Sequence, residues 1–268
     1  MRPPLISLAH LTILDADPVT LIESAASAGF DAVGLRIVPP LPTDTIIPVL
    51  GDLPLQRQVK ARLRETGIGI LDVEAIWLTP GTEVAALLPA LDLGADLGAR
   101  YVLTVGHDPD WHRLCDTFGA LCGAASARGL RVMLEFIPYA QCASLREAHR
   151  LLRAAAPASA GLLIDALHLS RSNASPHDIK GYDPELFSYL HLCDATKMPP
   201  AATELRNEAR GGRLYPGEGG LWLKDFLAAF PLATPIAIEA PDHARRHLSP
   251  KERAGLAMAA TRRLLDQL

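Results

Sequence analysis

The sequence has few aromatic residues, no closely paired cysteines and no long apolar run. Phe, Trp and Tyr make up 5% of the 268 residues, so aliphatic side chains must fill the core. None of the four cysteines (Cys115, Cys122, Cys142 and Cys193) belongs to a C-x-x-C pair, which favours packed, reduced thiols over disulfides or a cysteine metal site. No apolar stretch reaches the ~20 residues of a membrane span. The beginning, MRPPLISLAHL, also lacks the pattern of a signal peptide. We therefore expect a cytoplasmic protein without a membrane partner.

A basic excess is also absent from the sequence. There are 26 Lys and Arg residues against 30 Asp and Glu residues, for a formal net charge of −4. Because surfaces that bind phosphate backbones are usually basic, this balance disfavours a nucleic-acid partner. No Gly-x-Gly-x-x-Gly turn follows the first predicted strand, which disfavours dinucleotide binding.

Short apolar runs alternate with longer amphipathic segments along the whole chain. The runs predict eight strands: Leu5–His10, Ala32–Arg36, Ile68–Ile76, Tyr101–Gly106, Arg131–Phe136, Gly161–Asp165, Tyr189–Cys193 and Pro235–Glu239. Strands that are apolar almost throughout are typical of parallel sheets buried on both faces. The number of βα units and the chain length predict an α/β protein, a single (β/α)₈ TIM barrel with residues 1–268 as one domain.

The longest stretch predicted to be irregular is Ala195–Gly220, which follows the seventh predicted strand. In a (β/α)₈ barrel, such a stretch lies on the face that carries the active site. Long loops on that face usually serve function. We therefore expect this segment to help select the substrate.

Four of the late predicted strands end in a side chain that could bind a metal. These side chains are Glu135 in RVMLEF, Asp165 in GLLID, His191 in SYLHL and Glu239 in PIAIEA. A single acidic residue at a strand end is more often a helix cap or a surface group. Four such side chains at the ends of consecutive barrel strands converge at one point. Burying them there is costly unless they are paired with each other or bound to a metal. Three carboxylates and one imidazole predict one divalent metal ion, with Mn²⁺, Mg²⁺ or Co²⁺ favoured and Zn²⁺ compatible.

The order and spacing of several motifs resemble the xylose-isomerase-like TIM barrels, the sugar phosphate isomerase/epimerase family. This family includes ketose 3-epimerases and inosose and 3-dehydroshikimate dehydratases. The motifs are AGFDAVGLR, LEF, LLIDALHL, YLHLCDA, RLYPGEGGL and IAIEA, and they cover nearly the whole chain. The resemblance implies the same Glu, Asp, His, Glu metal set. It further implies that Glu135 and Glu239 are catalytic and exchange protons with the substrate from opposite faces.

The resemblance also implies two residues that bind the substrate. His168, in D-x-x-H, matches a histidine that contacts substrate oxygens. Arg213, in R-x-x-P-G, matches an arginine that binds a substrate hydroxyl or carboxylate, with Arg206 and Arg210 as alternatives. The segment TKMPPAATELRNEARGG departs from the shorter turn of the epimerases, which leaves the substrate class open.

Three further residues near strand ends are candidates for substrate binding. Arg36 ends the second predicted strand, where it could bind an anionic group or form a structural ion pair. Glu74, late in the third strand, and His107, just past the fourth, could line the pocket or only support it. Two other residues are weaker candidates: His10 could shape the pocket floor or be a satisfied core histidine, and Trp77 could wall the pocket or pack in the core. The related trinuclear zinc endonucleases carry histidines where this chain has Arg36 and Ile76–Trp77, so DNA processing is disfavoured.

Three functions remain after these observations. The first is a divalent-metal-dependent isomerase or epimerase that acts on a small keto-sugar or keto-polyol through an enediolate. The second is a metal-dependent dehydratase of a cyclic keto acid or keto-polyol. The third is a non-catalytic barrel that binds a sugar or stabilises a partner subunit, and the complete metal set argues against it. We expect a small-molecule sugar or keto acid substrate and, from the resemblance, a homo-oligomer, either a dimer or a tetramer.

Overall fold

The computed structural model describes residues 4–41, 43–155 and 158–268. Eight parallel strands form a closed barrel in chain order, and the last strand pairs with the first. The strands are β1 (Ile6–Leu8), β2 (Ala32–Arg36), β3 (Gly69–Leu78), β4 (Tyr101–Gly106), β5 (Arg131–Glu135), β6 (Ala160–Asp165), β7 (Leu190–Leu192) and β8 (Ile236–Ile238). The prediction of a single (β/α)₈ TIM barrel is confirmed.

Helices connect the strands around the outside of the barrel. They are α1 (Pro18–Ala28), α2 (Leu53–Thr66), α3 (Val84–Asp96), α4 (Trp111–Ser126), α5 (Leu145–Ala155), α6 (Ala166–Arg171), α7 (Pro176–Ile179), α8 (Leu205–Gly211), α9 (Leu223–Ala228) and α10 (Pro250–Leu265). Local sequence sets their ends, as α1 illustrates. Asp17 accepts hydrogen bonds from the N–H groups of Val19 and Thr20, and Gly29 ends the helix with φ of 83°. Among the described residues, none of the helices has the length and apolar character needed to cross a membrane.

Side chains fill the inside of the barrel, so the strands surround a packed core and not a pore. The inward-facing apolar residues are Ala32, Leu71, Ala75, Leu103, Met133, Leu163, Tyr189 and Ala237. Gly161 makes room for one of them, since a Cβ atom there would lie 2.8 Å from the Met133 terminal methyl carbon. With the interior closed by this layer, a ligand has access only from an end of the barrel.

Three sequence predictions about local structure are wrong. β1 stops at Leu8, and His10 begins a short 3₁₀ helix (His10–Ile13) instead of ending the strand. β3 continues to Leu78, two residues beyond the predicted end. The segment Ala195–Gly220 contains a 3₁₀ turn and the helix α8 where irregular structure was predicted. α8 has only two buried residues, too few to give the sequence a helical pattern.

Candidate metal centre

Four polar side chains come together at the carboxyl ends of β5 to β8. Glu135 and Asp165 are the last residues of β5 and β6, His191 lies in β7, and Glu239 follows β8 directly. All four are buried, and one ligand atom from each lies within 4.8 Å of the others. The Nδ1 atom of His191 is 3.6 Å from Glu135 Oε1, 3.5 Å from Glu239 Oε2 and 3.9 Å from Asp165 Oδ2. The structure therefore brings together the four residues that the sequence singled out.

The pairing of the strands explains this convergence. Asp165 and His191 are register partners across β6 and β7, so they stand at the same level of the barrel. Asp165 also caps α6 because its Oδ1 atom accepts the N–H of His168 at 2.9 Å. That bond fixes one oxygen of the carboxylate and leaves Oδ2 facing the other ligand atoms, 3.9 Å from His191 Nδ1.

The donor atoms of this cluster fit a divalent cation. Ligand atoms bound at roughly 2.0–2.3 Å from one ion lie at most about 4.6 Å apart, close to the spread seen here. Both ring nitrogens of His191 and Glu135 Oε1 are buried without a hydrogen-bond partner among the described residues. Buried polar atoms are rarely left unsatisfied, and a cation would supply their missing partner. Three carboxylates with one imidazole suit Mn²⁺, Mg²⁺, Co²⁺ or Zn²⁺.

The two glutamates of the cluster differ in their acidity. Burial raises the pKa of Glu135 to about 7, although His191 opposes the change. Burial also acts to raise the pKa of Glu239, but His191 and Arg213 outweigh it and hold that pKa below its usual range. Burial acts to lower the pKa of His191, but Glu239 and Glu135 outweigh it and raise that pKa well above its ordinary value. The opposite shifts show that the carboxylates and the imidazole of this cluster interact electrostatically.

Arg213 is the arginine that reaches this cluster. Its Nη1 atom donates to Asp165 Oδ2 at 2.5 Å, and its Nη2 atom lies 2.9 Å from Glu239 Oε2. Its Nε atom donates to the carbonyl of Ala209, so α8 holds the guanidinium in place. Of the two alternatives named from the sequence, Arg210 lines a small cavity beside the cluster and pairs with Asp44 at 2.7 Å. Arg206 lines a neighbouring cleft of about 650 Å³ instead.

A small cavity of about 40 Å³ opens beside the four ligands. Its walls include Arg36, Trp77, Tyr139, His168 and Glu239. His168 is buried, and burial lowers its pKa to about 4, so its ring is neutral near pH 7. A neutral imidazole can donate one hydrogen bond and accept another, which suits a substrate hydroxyl or carbonyl.

Two of the sequence candidates for substrate binding, Glu74 and His107, lie outside the lining of this cavity. Glu74 is fully buried in the barrel wall, where its Oε1 atom accepts the N–H of His10 at 2.9 Å. Burial, followed by the nearby charge of Asp72, raises the pKa of Glu74 to about 8. His107 is half-buried and packs edge-on against Trp77, with ring centroids 5.1 Å apart. Both residues support the wall behind the cavity.

Arg36 and His10 occupy the opposite side of the barrel mouth. Arg36 ends β2 and lines the cavity, and its Nε atom lies 3.7 Å from Glu74 Oε2. His10 is buried. Its Nε2 atom lies 3.0 Å from the Ala16 carbonyl oxygen, and its Nδ1 atom accepts the backbone N–H of Arg36 at 3.2 Å. The His10 ring is thus a satisfied structural group.

Sequence reasoning missed two residues that shape the site. Tyr139 stacks with Trp77 at 6.5 Å and meets the His168 ring edge-on at 6.0 Å, which completes an aromatic wall. Its position four residues after the end of β5, on the ligand-bearing face, was the available signal. Asp194 lies buried two residues after the end of β7, within the motif YLHLCDA.

The carboxylate of Asp194 ties together both ends of the Ala195–Gly220 segment. It accepts backbone N–H hydrogen bonds from Ala195 at 2.8 Å, Gly217 at 3.1 Å and Gly219 at 2.9 Å. It also accepts the N–H of Leu221 at 3.0 Å. These bonds close the segment at its base, so α8 and Arg213 are held over the barrel mouth.

A closed (β/α)₈ barrel with a buried Glu, Asp, His, Glu cluster at its mouth defines the class of protein. A sequence model of the xylose isomerase-like TIM barrel family matches residues 22–264. The chain belongs to that family, as its motifs predicted. A search of curated protein sequences finds no match.

Solved structures agree with the family at the level of the fold. The chain is 17% identical to an IolI protein with a bound zinc atom (TM-score 0.79, covering 98% of each chain). It is 17% identical to D-allulose 3-epimerase from Methylomonas sp. (TM-score 0.70, covering 98% of this chain and 99% of that one). It is 12% identical to the probable 3-DHS dehydratase AsbF from Bacillus anthracis (TM-score 0.75, covering 96% and 98%).

One further solved structure is a fusion of a xylose isomerase-like TIM barrel with a 4-hydroxyphenylpyruvate dioxygenase. It is 21% identical, with a TM-score of 0.83 over 99% of this chain, but the chain spans only 43% of the fusion. The family bears out the prediction of an enzyme in the isomerase, epimerase or dehydratase class, and the named enzymes share its fold.

Proposed function

We propose that the chain is a divalent-metal-dependent isomerase or epimerase of a small keto-sugar or keto-polyol. The observation that carries this proposal is the pair of glutamates in the four-ligand cluster. Glu135 and Glu239 come from strands three positions apart in the barrel, yet a carboxylate oxygen of each lies within 3.6 Å of the same imidazole nitrogen. Two carboxylates placed on either side of one point can remove a proton and return it.

The four side chains Glu135, Asp165, His191 and Glu239 would hold the cation. A bound divalent cation would stabilise the negative charge that develops on the substrate oxygens when a proton leaves the neighbouring carbon. Glu135 and Glu239 would carry that proton on their carboxylate oxygens. His168 would bond a substrate oxygen through its neutral ring, and Arg213 would keep Asp165 and Glu239 in position.

A dehydratase is the second candidate, and Arg36 is the observation that favours it. The same enolate can expel a β-hydroxyl group as water, and a cyclic keto acid would bring a carboxylate into the cavity that Arg36 lines. A non-catalytic sugar-binding or partner-stabilising barrel is less consistent with the site. Such a protein gains nothing from burying both glutamates beside an imidazole.

Under this proposal, the partner is a small-molecule sugar or keto acid. The cytoplasmic location, the homo-oligomer (dimer or tetramer) and the single domain over residues 1–268 stay predictions.

Metal analysis and one isosteric variant test the proposal. We expect elemental analysis to find about one divalent metal per purified chain. Glu239→Gln should keep the fold and reduce turnover at least a thousandfold, because it removes a carboxylate that carries the proton. The substrate would come from a metal-supplemented screen of ketoses, inososes and cyclic keto acids. Full activity of Glu239→Gln, or of metal-free protein, would contradict the mechanism.

A control and an isotope experiment separate the two candidate reactions. Glu83→Gln makes the same chemical change at an exposed position and should leave activity unchanged. Exchange of a substrate C–H proton with deuterated water, without loss of water from the substrate, supports the isomerase. Release of a dehydrated product supports the dehydratase instead.

A further inference from the structure

Arg36 is a buried cation that faces the candidate metal centre across the cavity. The residue is 5% exposed, and it lines the same cavity as Glu135 and Glu239. Its Nε and Nη1 atoms have no hydrogen-bond partner among the described residues. Removing a guanidinium from water is costly unless its donors find acceptors, so a buried arginine with free donors beside a cavity indicates a missing ligand.

The carboxylates near Arg36 do not meet this need. Glu74 is a register partner of Arg36 across β2 and β3, but its nearest oxygen is 3.7 Å from the guanidinium, beyond hydrogen-bonding distance. The other oxygen of Glu74 is already bonded to the His10 N–H. Asp72 receives its hydrogen bond from the Tyr189 hydroxyl at 2.7 Å. Glu74 Oε2 is itself buried without a hydrogen-bond partner in the described part of the chain, so Glu74 offers Arg36 at most an ion pair and leaves the Nε and Nη1 donors without an acceptor.

The position of Arg36 in the barrel sets the shape of that ligand. Arg36 stands on β2, which is four strands from β6 in either direction around the closed barrel. The four metal-ligating candidates stand on or directly after β5 to β8. Between these two polar ends, Ala75, Trp77 and Leu103 supply mainly apolar walls. A ligand that satisfies both ends is short, with oxygens at one end for a cation and an anionic group at the other.

We propose that Arg36 binds a carboxylate of the substrate, which narrows the keto-sugars and keto-polyols of the proposed function to those that carry an acid group, the small hydroxy-keto acids. This inference rests on the proposed function, because the metal centre would take the carbonyl end of the same molecule. A guanidinium binds both oxygens of one planar carboxylate. The cavity, at about 40 Å³ beside a single guanidinium, suits a carboxylate better than a bulkier, doubly charged phosphate.

A matched pair of probes tests this assignment without knowledge of the natural substrate. Erythronate has the four-carbon chain of erythritol, with one terminal CH₂OH group replaced by a carboxylate. We expect titration calorimetry with Mn²⁺-loaded protein to show erythronate binding and much weaker erythritol binding. Arg36→Gln should lower the affinity for erythronate about 10- to 100-fold, the effect of losing a charge-assisted hydrogen bond. The affinity for erythritol and the metal content should not change.

Companion variants keep the test decisive if Arg36→Gln folds poorly. Arg36→Lys retains the charge and should recover part of the erythronate affinity. The double variant Arg36→Gln/Glu74→Gln removes both charges of the pair. It should still bind erythronate more weakly than the parent does. Arg206→Gln makes the same charge change in the neighbouring cleft and is the control, with no expected effect.

The outcomes separate the two proposals. Erythronate binding that is unchanged in Arg36→Gln and in the double variant would overturn the carboxylate assignment, since the anion would then bind through the metal alone. An elemental analysis that finds no divalent metal in the purified protein would refute the proposed function. In that case, Arg36-dependent erythronate binding to the metal-free chain would still support the carboxylate site.

Discussion

The two halves of the barrel mouth carry polar residues at similar strand ends, yet only one half gathers them around a point. In the half formed by β5 to β8, the strand-end groups meet within 4.8 Å. In the half formed by β1 to β4, they separate: Arg36 faces the cavity, Glu74 lies in the wall and His107 stands outside it. The position of a polar residue at a strand end therefore says little about its role unless the register of the strand is also known.

The strand registers explain this difference. Pairing is interrupted between Val33 and Gly34 on β2, and again between Val73 and Ile76 on β3. Such irregularities change the direction in which later side chains point. From β5 to β8 the pairing has no register shift, so the strand-end groups keep a regular stagger: Asp165 and His191 are partners, Glu135 pairs two residues before Asp165, and His191 pairs two residues before Glu239. One half would thus hold a cation and the other would orient a ligand.

Removing the imidazole of His191 should break the contrast most strongly. His191→Ala deletes a ligand of the half formed by β5 to β8, so we expect metal affinity to fall about a hundredfold or more. Titration of metal-free protein with Mn²⁺ or Zn²⁺ measures this loss. His107→Ala removes the same ring from the other half and should leave metal affinity unchanged. Equal losses in both variants would mean that the cation does not sit among the four ligands.

Gly34→Ala tests the irregular half by itself. A Cβ atom at Gly34 would lie 2.1 Å from Glu74 Oε1 and 2.7 Å from Asp72 Oδ1, so both acids would have to move. We expect the free energy of unfolding to fall by about 1–3 kcal/mol, the usual cost of overpacking, and metal affinity to change little. Chemical denaturation measures the first effect and metal titration the second. Gly123→Ala, where a Cβ atom meets nothing within 4 Å, is the control and should not destabilise the protein.

A wild-type-like stability for Gly34→Ala would show that the packing around Glu74 and Asp72 is loose. A large loss of metal affinity would show that the two halves are coupled.

The third test is a pH dependence of the unfolding free energy that comes from Glu74. Its pKa is raised from 4.5 to about 8, mainly by burial, so the folded protein favours the protonated acid. The stabilisation is therefore complete below pH 4.5 and is lost as the pH rises to about 8. One such proton contributes a slope of at most about 1.4 kcal/mol per pH unit. Glu74→Gln should flatten the decline of the unfolding free energy over this range.

Denaturant titrations of the parent and Glu74→Gln from pH 5 to pH 8 measure that slope. The exposed Glu83→Gln variant should follow the parent. Parallel curves for the parent and Glu74→Gln would mean that Glu74 is ionised in the folded protein, which would make it a true counter-ion of Arg36.

Much of the fold and of the metal cluster was readable from the sequence, for a physical reason. A buried parallel strand needs a continuous apolar run, and a carboxylate or imidazole at its end stands out against that run, as Glu135 and Asp165 do. The register shifts of β2 and β3 have no corresponding pattern in the sequence. The different orientations of Arg36 and Glu74 could therefore not be predicted from it. Asp194 was overlooked because its partners are backbone N–H groups up to 27 residues away.

Trp77 gives the cavity a spectroscopic signal of its own. The chain has three tryptophans, and Trp77 is the one that lines the cavity, between His107 and Tyr139. Trp111 lies under the guanidinium of Arg150, with 4.0 Å to the ring centroid, and Trp222 packs near Phe226. Indole emission depends on local polarity and on nearby quenching groups. In a chain with Trp111 and Trp222 replaced by Phe, the remaining fluorescence would follow occupancy of the cavity in real time, without an added label.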